Sequence, residues 1–136
     1  MKRPGKTLGM RHVALSVRDL AACEQFYVEL LGMEVEWRPD PANLYLTSGP
    51  DNLALHQAIE GERDELSQRL DHIGFFLQTP QEVDAWFAFL SAERVKMRTE
   101  PRTHRDGARS FYCYDPDGTV VQIIYHPPVA AWEQGG

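Results

Sequence analysis

Ser110-Phe-Tyr-Cys-Tyr-Asp-Pro-Asp-Gly-Thr-Val-Val-Gln-Ile-Ile124 decides how this chain is read. Phe111 to Tyr114 is rich in aromatics, and Val120 to Tyr125 is β-branched and aromatic, so both flanks have strand composition. Between them stands Asp115-Pro116-Asp117-Gly118. Proline presets one backbone angle, and Asp-Gly tolerates the positive φ that a tight turn requires. The stretch is a hairpin. A weaker copy runs from Leu44 to Gln57 as Leu-Tyr-Leu-Thr-Ser-Gly-Pro-Asp-Asn-Leu-Ala-Leu-His-Gln. Matching Pro50 to Pro116 and Asp51 to Asp117 brings His56 onto Gln122, an offset of 66 residues.

Working outward from the two hairpins, the same order of elements appears ahead of each. Met10 to Val17 alternates, with His12, Ala14 and Ser16 on one face and Val13, Leu15 and Val17 on the other, as in a strand with one apolar face. Asp19 is placed to cap a helix that runs to Leu31, where Gly32 ends it. Leu20, Cys23, Phe26, Tyr27, Leu30 and Leu31 recur on its apolar side. Met33 to Arg38 reads as an edge strand, and Asn43 to Thr47 with Leu53 to Ile59 as the first hairpin. In the second copy, Leu70 to Leu77 is a strand with His72, Gly74 and Phe76 on one face. Thr79-Pro80-Gln81-Glu82 opens a helix with a capping box and proline at the first helical position. Arg94 to Thr99 reads as a strand, 101–109 as a polar loop, and the opening hairpin closes the copy. Residues 1–9 read as a lead-in, and the chain from Pro127 as a tail.

His12 and His72 differ by 60 positions, as do Phe26 and Trp86, and Val35 and Val95. An internal repeat of this length means two copies of one unit. The expected fold is α+β: a single domain, 1–136, of two βαβββ modules, about 10–59 and 70–126, joined by a polar linker at 60–69. Together the modules would make a curved eight-stranded mixed sheet around a cavity, with the helices on its convex side.

Composition narrows the function. The 136 residues are 43% hydrophobic and 25% charged, which is ordinary globular usage. A net charge of −6 argues against a nucleic-acid surface. No apolar run reaches membrane-spanning length and no signal-peptide core stands at the start, so the expectation is a cytoplasmic protein without a membrane partner. The two cysteines, Cys23 and Cys113, have no metal-site or redox spacing and read as buried thiols.

The two half-repeats, over residues 10 to 126, resemble the vicinal oxygen chelate superfamily. It includes glyoxalase I, extradiol dioxygenases, bleomycin-binding proteins and the fosfomycin-resistance thiol transferases. The most specific part is Ser-Phe-Tyr-x-x-Asp-Pro-Asp-Gly, which looks like the matching strand and turn of the fosfomycin enzymes. The resemblance implies metal ligands on the first and last strands of each module. Carried over by position these are His12, His56, His72 and Gln122. The family usually has glutamate where Gln122 stands, and its glyoxalase I-like members a carboxylate where His56 stands. His104 and His126 fall outside the repeat register and read as solvent-facing. By the same resemblance Ser110 and Tyr112 face the substrate. Arg109 beside them would hold an anionic group, and Phe76 and Leu46 would form an apolar wall.

This implies a metal-dependent enzyme that binds a small substrate through adjacent oxygens on a divalent ion, and acts as an isomerase, lyase or dioxygenase. Imidazole and amide ligands suit zinc, nickel or iron. Three neutral imidazoles and an amide leave the ion's charge uncompensated, which strengthens it as a Lewis acid. Gln122 cannot take a proton, so the family's usual carboxylate base is missing. The competing expectation is a metal-free binding protein of the bleomycin-resistance type. Small modules leave sheet edges to cover, and a homodimer is expected.

Overall fold

Parallel pairing between the first and last strand of each repeat, with the intervening strands added antiparallel beyond the last one, organises the chain. The computed structural model describes residues 4, 10–59, 70 and 72–135, the last four of these by backbone alone. The expected linker at 60–69 and the lead-in, Pro4 apart, lie outside the described residues. The chain divides into two compact units, Met1–Glu65 and Leu66–Gly136.

In unit 1 the strands are β1 (His12–Val17), β2 (Glu34–Asp40), β3 (Asn43–Thr47) and β4 (Asn52–Gln57). They form a mixed sheet in the order β1-β4-β3-β2. β1 lies parallel to β4, and the other pairs are antiparallel. The helix between β1 and β2 begins as α1 (Leu20–Glu24), where Asp19 accepts the Ala22 N–H at 3.0 Å. It widens to a π-helical segment over Gln25–Leu30, with Leu31 N–H reaching back to the Phe26 carbonyl. Phe26 and Tyr27 are adjacent in sequence yet both buried, their rings edge to face at 4.9 Å. Gly32 ends the segment at φ +82°, a backbone conformation that favours glycine. Leu15, Val17, Leu44, Leu46, Leu53 and Leu55 are buried on one side of the sheet. Alternation therefore puts His12, Ala14, Asn52, Ala54, His56, Asn43 and Tyr45 on the other. β2 is the edge strand, and its residues are exposed throughout.

Unit 2 repeats the plan with β5 (Ile73–Leu77), α2 (Pro80–Ala92), β6 (Arg102–Thr103), β7 (Arg109–Tyr114) and β8 (Val120–Tyr125), in the order β5-β8-β7-β6. The Thr79 hydroxyl accepts the Glu82 N–H at 3.2 Å, as the cap expected there requires. Val83 and Leu90 of α2 are buried, as are Phe111, Cys113, Val121 and Ile123 of the sheet, and Phe87 meets Phe111 edge to face. At the β7–β8 turn, Gly118 donates to the Asp115 carbonyl at 3.0 Å and sits at φ +92°. The Asp115 carboxylate accepts the N–H groups of Asp117 and Thr119.

Two expectations are corrected. The strand expected over Arg94–Thr99 is broken: Arg94 takes φ +66°, Met97 makes a single bridge to Cys113, and the Thr99 hydroxyl takes the Tyr112 N–H that a ladder would use. The regular strand comes later, at β6, inside the expected loop. The expected tail is a helix, α3 (Pro127–Gly135). Its opening prolines occupy positions where a helix needs no N–H partner, and its Ala130 carbonyl accepts from Gln78 at 2.8 Å.

Candidate functional site

Strand register decides which side chains can act together. In unit 2, Gly74, Gln122 and Tyr112 form one cross-strand row, and Phe76, Ile124 and Ser110 the next. Both rows lie on the face away from α2, because Phe111, Val121 and Ile123 take the other. His72 immediately precedes β5 and sets its ring edge to face on Tyr112, with centroids 5.4 Å apart. Five residues named from the sequence, His72, Phe76, Ser110, Tyr112 and Gln122, thus share a face.

Ser110 is buried and ties that face together. It accepts the Gln122 Nε2–H at 3.1 Å, and its oxygen lies 3.2 Å from His104 Nε2. With its nitrogen committed to Ser110, Gln122 keeps its Oε1 as the free acceptor. That oxygen stands across from Gly74, at ordinary van der Waals distance, 3.9 Å, from where a Cβ would sit. His104 is exposed, as expected, but its bond to Ser110 was not legible. The loop folds back through His104 N–H to the Ala108 carbonyl at 2.7 Å. His126 is half-buried, its ring 6.5 Å from Phe76 and its Nδ1 3.9 Å from Asp106.

Two named residues lie elsewhere. Arg109 alternates with Ser110 along β7 and so points to the α2 side. There Asp84 takes its Nη2 at 2.7 Å and its Nε at 3.2 Å, and Thr103 takes its Nη1 at 3.0 Å. The bidentate bond raises the guanidinium pKa and holds the Asp84 carboxyl below its usual range. Leu46 is fully buried and pairs with Leu53 on the apolar side of unit 1, so it is core and lines no open face.

In unit 1 the open face carries His12 opposite Asn52 and His56 opposite Asn43. His12 Nδ1 lies 2.7 Å from Asn52 Oδ1, and His56 Nδ1 lies 2.6 Å from Asn43 Oδ1. Between these rows Tyr45 stacks on Trp37 at 5.2 Å. The rows are four residues apart along β4, roughly 13 Å at strand rise. Two rings standing perpendicular to the sheet do not share one ion over that distance.

The register also corrects the repeat. Ala14 and Gly74 keep the 60-residue offset, and Ala54 faces Ala14 as Gln122 faces Gly74. Ala54, two residues before His56, is therefore the counterpart of Gln122. The turns explain the slip. Asp51 accepts from Ser48 at the end of its turn, whereas Asp115 accepts from the start of its own, so matching Asp51 to Asp117 misaligns the strands beyond.

A family model described as the Glyoxalase/Bleomycin resistance protein/Dioxygenase superfamily matches residues 9–123. The chain belongs to that superfamily. A relative, the metallothiol transferase FosB of Staphylococcus epidermidis, is 31% identical over 117 residues, covering 84% of this chain and 79% of the relative. FosB of Staphylococcus saprophyticus is 29% identical over 116 residues, covering 84% and 74%. Lactoylglutathione lyase from Agrobacterium tumefaciens superposes with a TM-score of 0.71 at 22% identity, over 90% of this chain and 96% of that one, which speaks to the fold.

The chemistry of these side chains suits a divalent metal, such as the name of the metallothiol transferase relative implies for that protein. Imidazole nitrogen and amide oxygen ligate borderline divalent ions, and Gln122 presents oxygen. Among the described residues no three His, Cys, Asp or Glu side chains gather at one point. Cys113 adds no ligand: burial, and then the Asp115 charge, push its thiol pKa up to about 12.

Proposed function

We propose that this chain is a metal-dependent enzyme of the glyoxalase superfamily, acting on a small substrate that offers two adjacent oxygens. The observation that carries this reading is the face shared by His72, Tyr112, Ser110 and Gln122, with the amide held so that its oxygen stays available. The 31% identity to a metallothiol transferase supports it. The donors proposed are His72 and Gln122 on the sheet of unit 2 and, on the sheet of unit 1, His12; His56 stands a row too far along β4 to share an ion with His12. A divalent ion bound by such donors would supply Lewis acidity to the substrate oxygens. The protein's own part is to orient and exclude. Tyr112 walls the imidazole of His72, Phe76 adds apolar surface, and Ser110 fixes Gln122. Gln122 takes no proton, so the reactions that fit best need no carboxylate base at that position: addition or group transfer ahead of glyoxalase-type isomerisation. The assembly proposed is a cytoplasmic homodimer, and light scattering at tens of micromolar reads its mass.

One observation favours a second reading, a metal-free binding module. Trp37 is 58% exposed and stacked on Tyr45, an aromatic platform suited to a planar organic ligand. Elemental analysis of protein purified without a histidine tag separates the two. A bound stoichiometric divalent metal supports the enzyme. Protein that carries none and gains no thermal stability from added zinc or nickel supports the module.

A further inference from the structure

The two histidines of unit 1 sit in the same device. Asn52 gives its Nδ2 hydrogen to Glu36 Oε2 at 3.0 Å, while its Oδ1 meets His12 Nδ1. Asn43 directs its Nδ2 to both Asp40 oxygens at 3.0 Å, while its Oδ1 meets His56 Nδ1. A cross-strand His–Asn contact alone has no direction, because an amide can face either way. The carboxylate supplies the direction. An ionised carboxylate only accepts, so each amide turns its nitrogen to the acid and its oxygen to the ring. An amide oxygen also only accepts, so the ring nitrogen facing it carries the hydrogen. A neutral ring then has its lone pair on Nε2, the atom farthest from the backbone. Asp40 is held below the ordinary carboxyl range, first by the Asn43 bond and then by the Ala42 N–H, so its chain keeps one direction across neutral pH. His104 makes the contrast, for its partner is a hydroxyl, which can donate or accept, and no tautomer is imposed.

We propose that Asn52 with Glu36, and Asn43 with Asp40, are positioning pairs that hold His12 and His56 as Nδ1–H tautomers and present two Nε2 acceptors on one face of the sheet. At His12 the acceptor serves as a metal ligand, which rests on the enzyme reading above. Fixing a ligand's tautomer through its other ring nitrogen is what outer partners of metal-bound histidines do. At His56, out of reach of that ion, the acceptor meets an O–H or N–H of the ligand. The substrate class is therefore one that carries a hydrogen-bond donor away from its two chelating oxygens.

The test is long-range 1H–15N spectroscopy of the metal-free full chain at pH 8. In water a neutral histidine favours Nε2–H; here both rings are expected as Nδ1–H. Asn52→Leu should return His12 to the Nε2–H form and leave His56 unchanged. Asn43→Leu should do the reverse. The untouched ring reports that each variant is folded, and Glu36→Gln, which removes only the direction, gives a mixed His12 tautomer. Nε2–H rings in the parent, or a tautomer indifferent to its asparagine, would overturn the inference. Nickel titration separates this from the enzyme reading. Asn52→Leu should weaken nickel binding about 10–100-fold, and Asn43→Leu should leave it unchanged. A parent with Nδ1–H rings that binds no metal keeps the positioning pairs and loses the enzyme; a metal-binding parent with Nε2–H rings does the opposite.

Discussion

Gln122 reaches across the β7–β8 ladder to give Ser110 a hydrogen at 3.1 Å, and this single contact fixes which end of its amide is free. Glutamate at the same position would put an anionic oxygen where the amide oxygen now lies, and Ser110 can donate to it instead. Under the enzyme reading, Gln122→Glu tightens zinc or nickel binding at least about tenfold, since a carboxylate offsets part of the ion's charge. The thermal shift on adding metal is then larger in the variant than in the parent. Under the binding-module reading the new charge is half-buried with no opposite charge to offset it. The variant then melts lower and gains nothing from metal.

Arg109 is expected to be silent in substrate binding. Its guanidinium belongs to Asp84 on the side opposite Ser110. Arg109→Ala should change KM for an anionic substrate by less than about twofold, within what loss of a remote surface charge does. Asp84 has a depressed folded pKa, so the stability its pair contributes is present above the ordinary carboxyl pKa and is lost as pH falls through the folded one. Melting curves of the parent and Asp84→Asn should therefore converge in acid and differ slightly at neutral pH. A KM that rises tenfold in Arg109→Ala would place the cation in the site after all.

Leu46 and Phe76 should separate cleanly. Leu46 is fully buried in core, and Leu46→Ala is expected to cost about 2–5 kcal/mol in denaturant unfolding. Phe76 is 57% exposed on the face of Gln122, and Phe76→Ala should leave stability within about 0.5 kcal/mol while altering ligand affinity. Equal destabilisation by the two would contradict the faces assigned by register.

Cysteine chemistry gives a fourth expectation. Cys23 and Cys113 are both buried. Native protein at pH 8 should show no rapid reaction with a thiol reagent, and both thiols should react once unfolded. Cys113 has a folded pKa raised to about 12, so its thiol contributes stability that is whole below the unfolded value and drains away as pH climbs toward 12. Rapid labelling of the folded chain at pH 8 would refute that burial.

Much of the fold was legible because its signals are local. Asp115-Pro116-Asp117-Gly118 announces its turn, Asp19 and Thr79 announce their helices, and alternation in Met10–Val17 names the buried side. What failed depended on register or on one backbone angle. Matching prolines and aspartates aligned the turns by composition, yet the two turns use different aspartates, and the strands beyond slipped by two residues. Arg109 was within reach of a stricter argument: neighbours on a strand face opposite ways, so it could not share a face with Ser110. Leu46, flanked by Tyr45 and Thr47, obeys the same parity. The Asn–His pairs were out of reach, since nothing in the sequence says that residues 12 and 52, or 43 and 56, lie opposite each other.

The parallel pairing of first and last strands has a consequence for how the chain acquires its structure. The hairpins β3–β4 and β7–β8 close over a few residues and can form within microseconds. Joining β1 to β4 brings His12 to Asn52 across 40 positions, and joining β5 to β8 brings Ile73 to Val121 across 48. Such closures pay their loop entropy before any contact repays it, and they set the slow step. β1, which carries His12, is thus expected to enter its sheet last and leave it first. In native-state hydrogen exchange its amides should lose protection ahead of those in the β3–β4 hairpin.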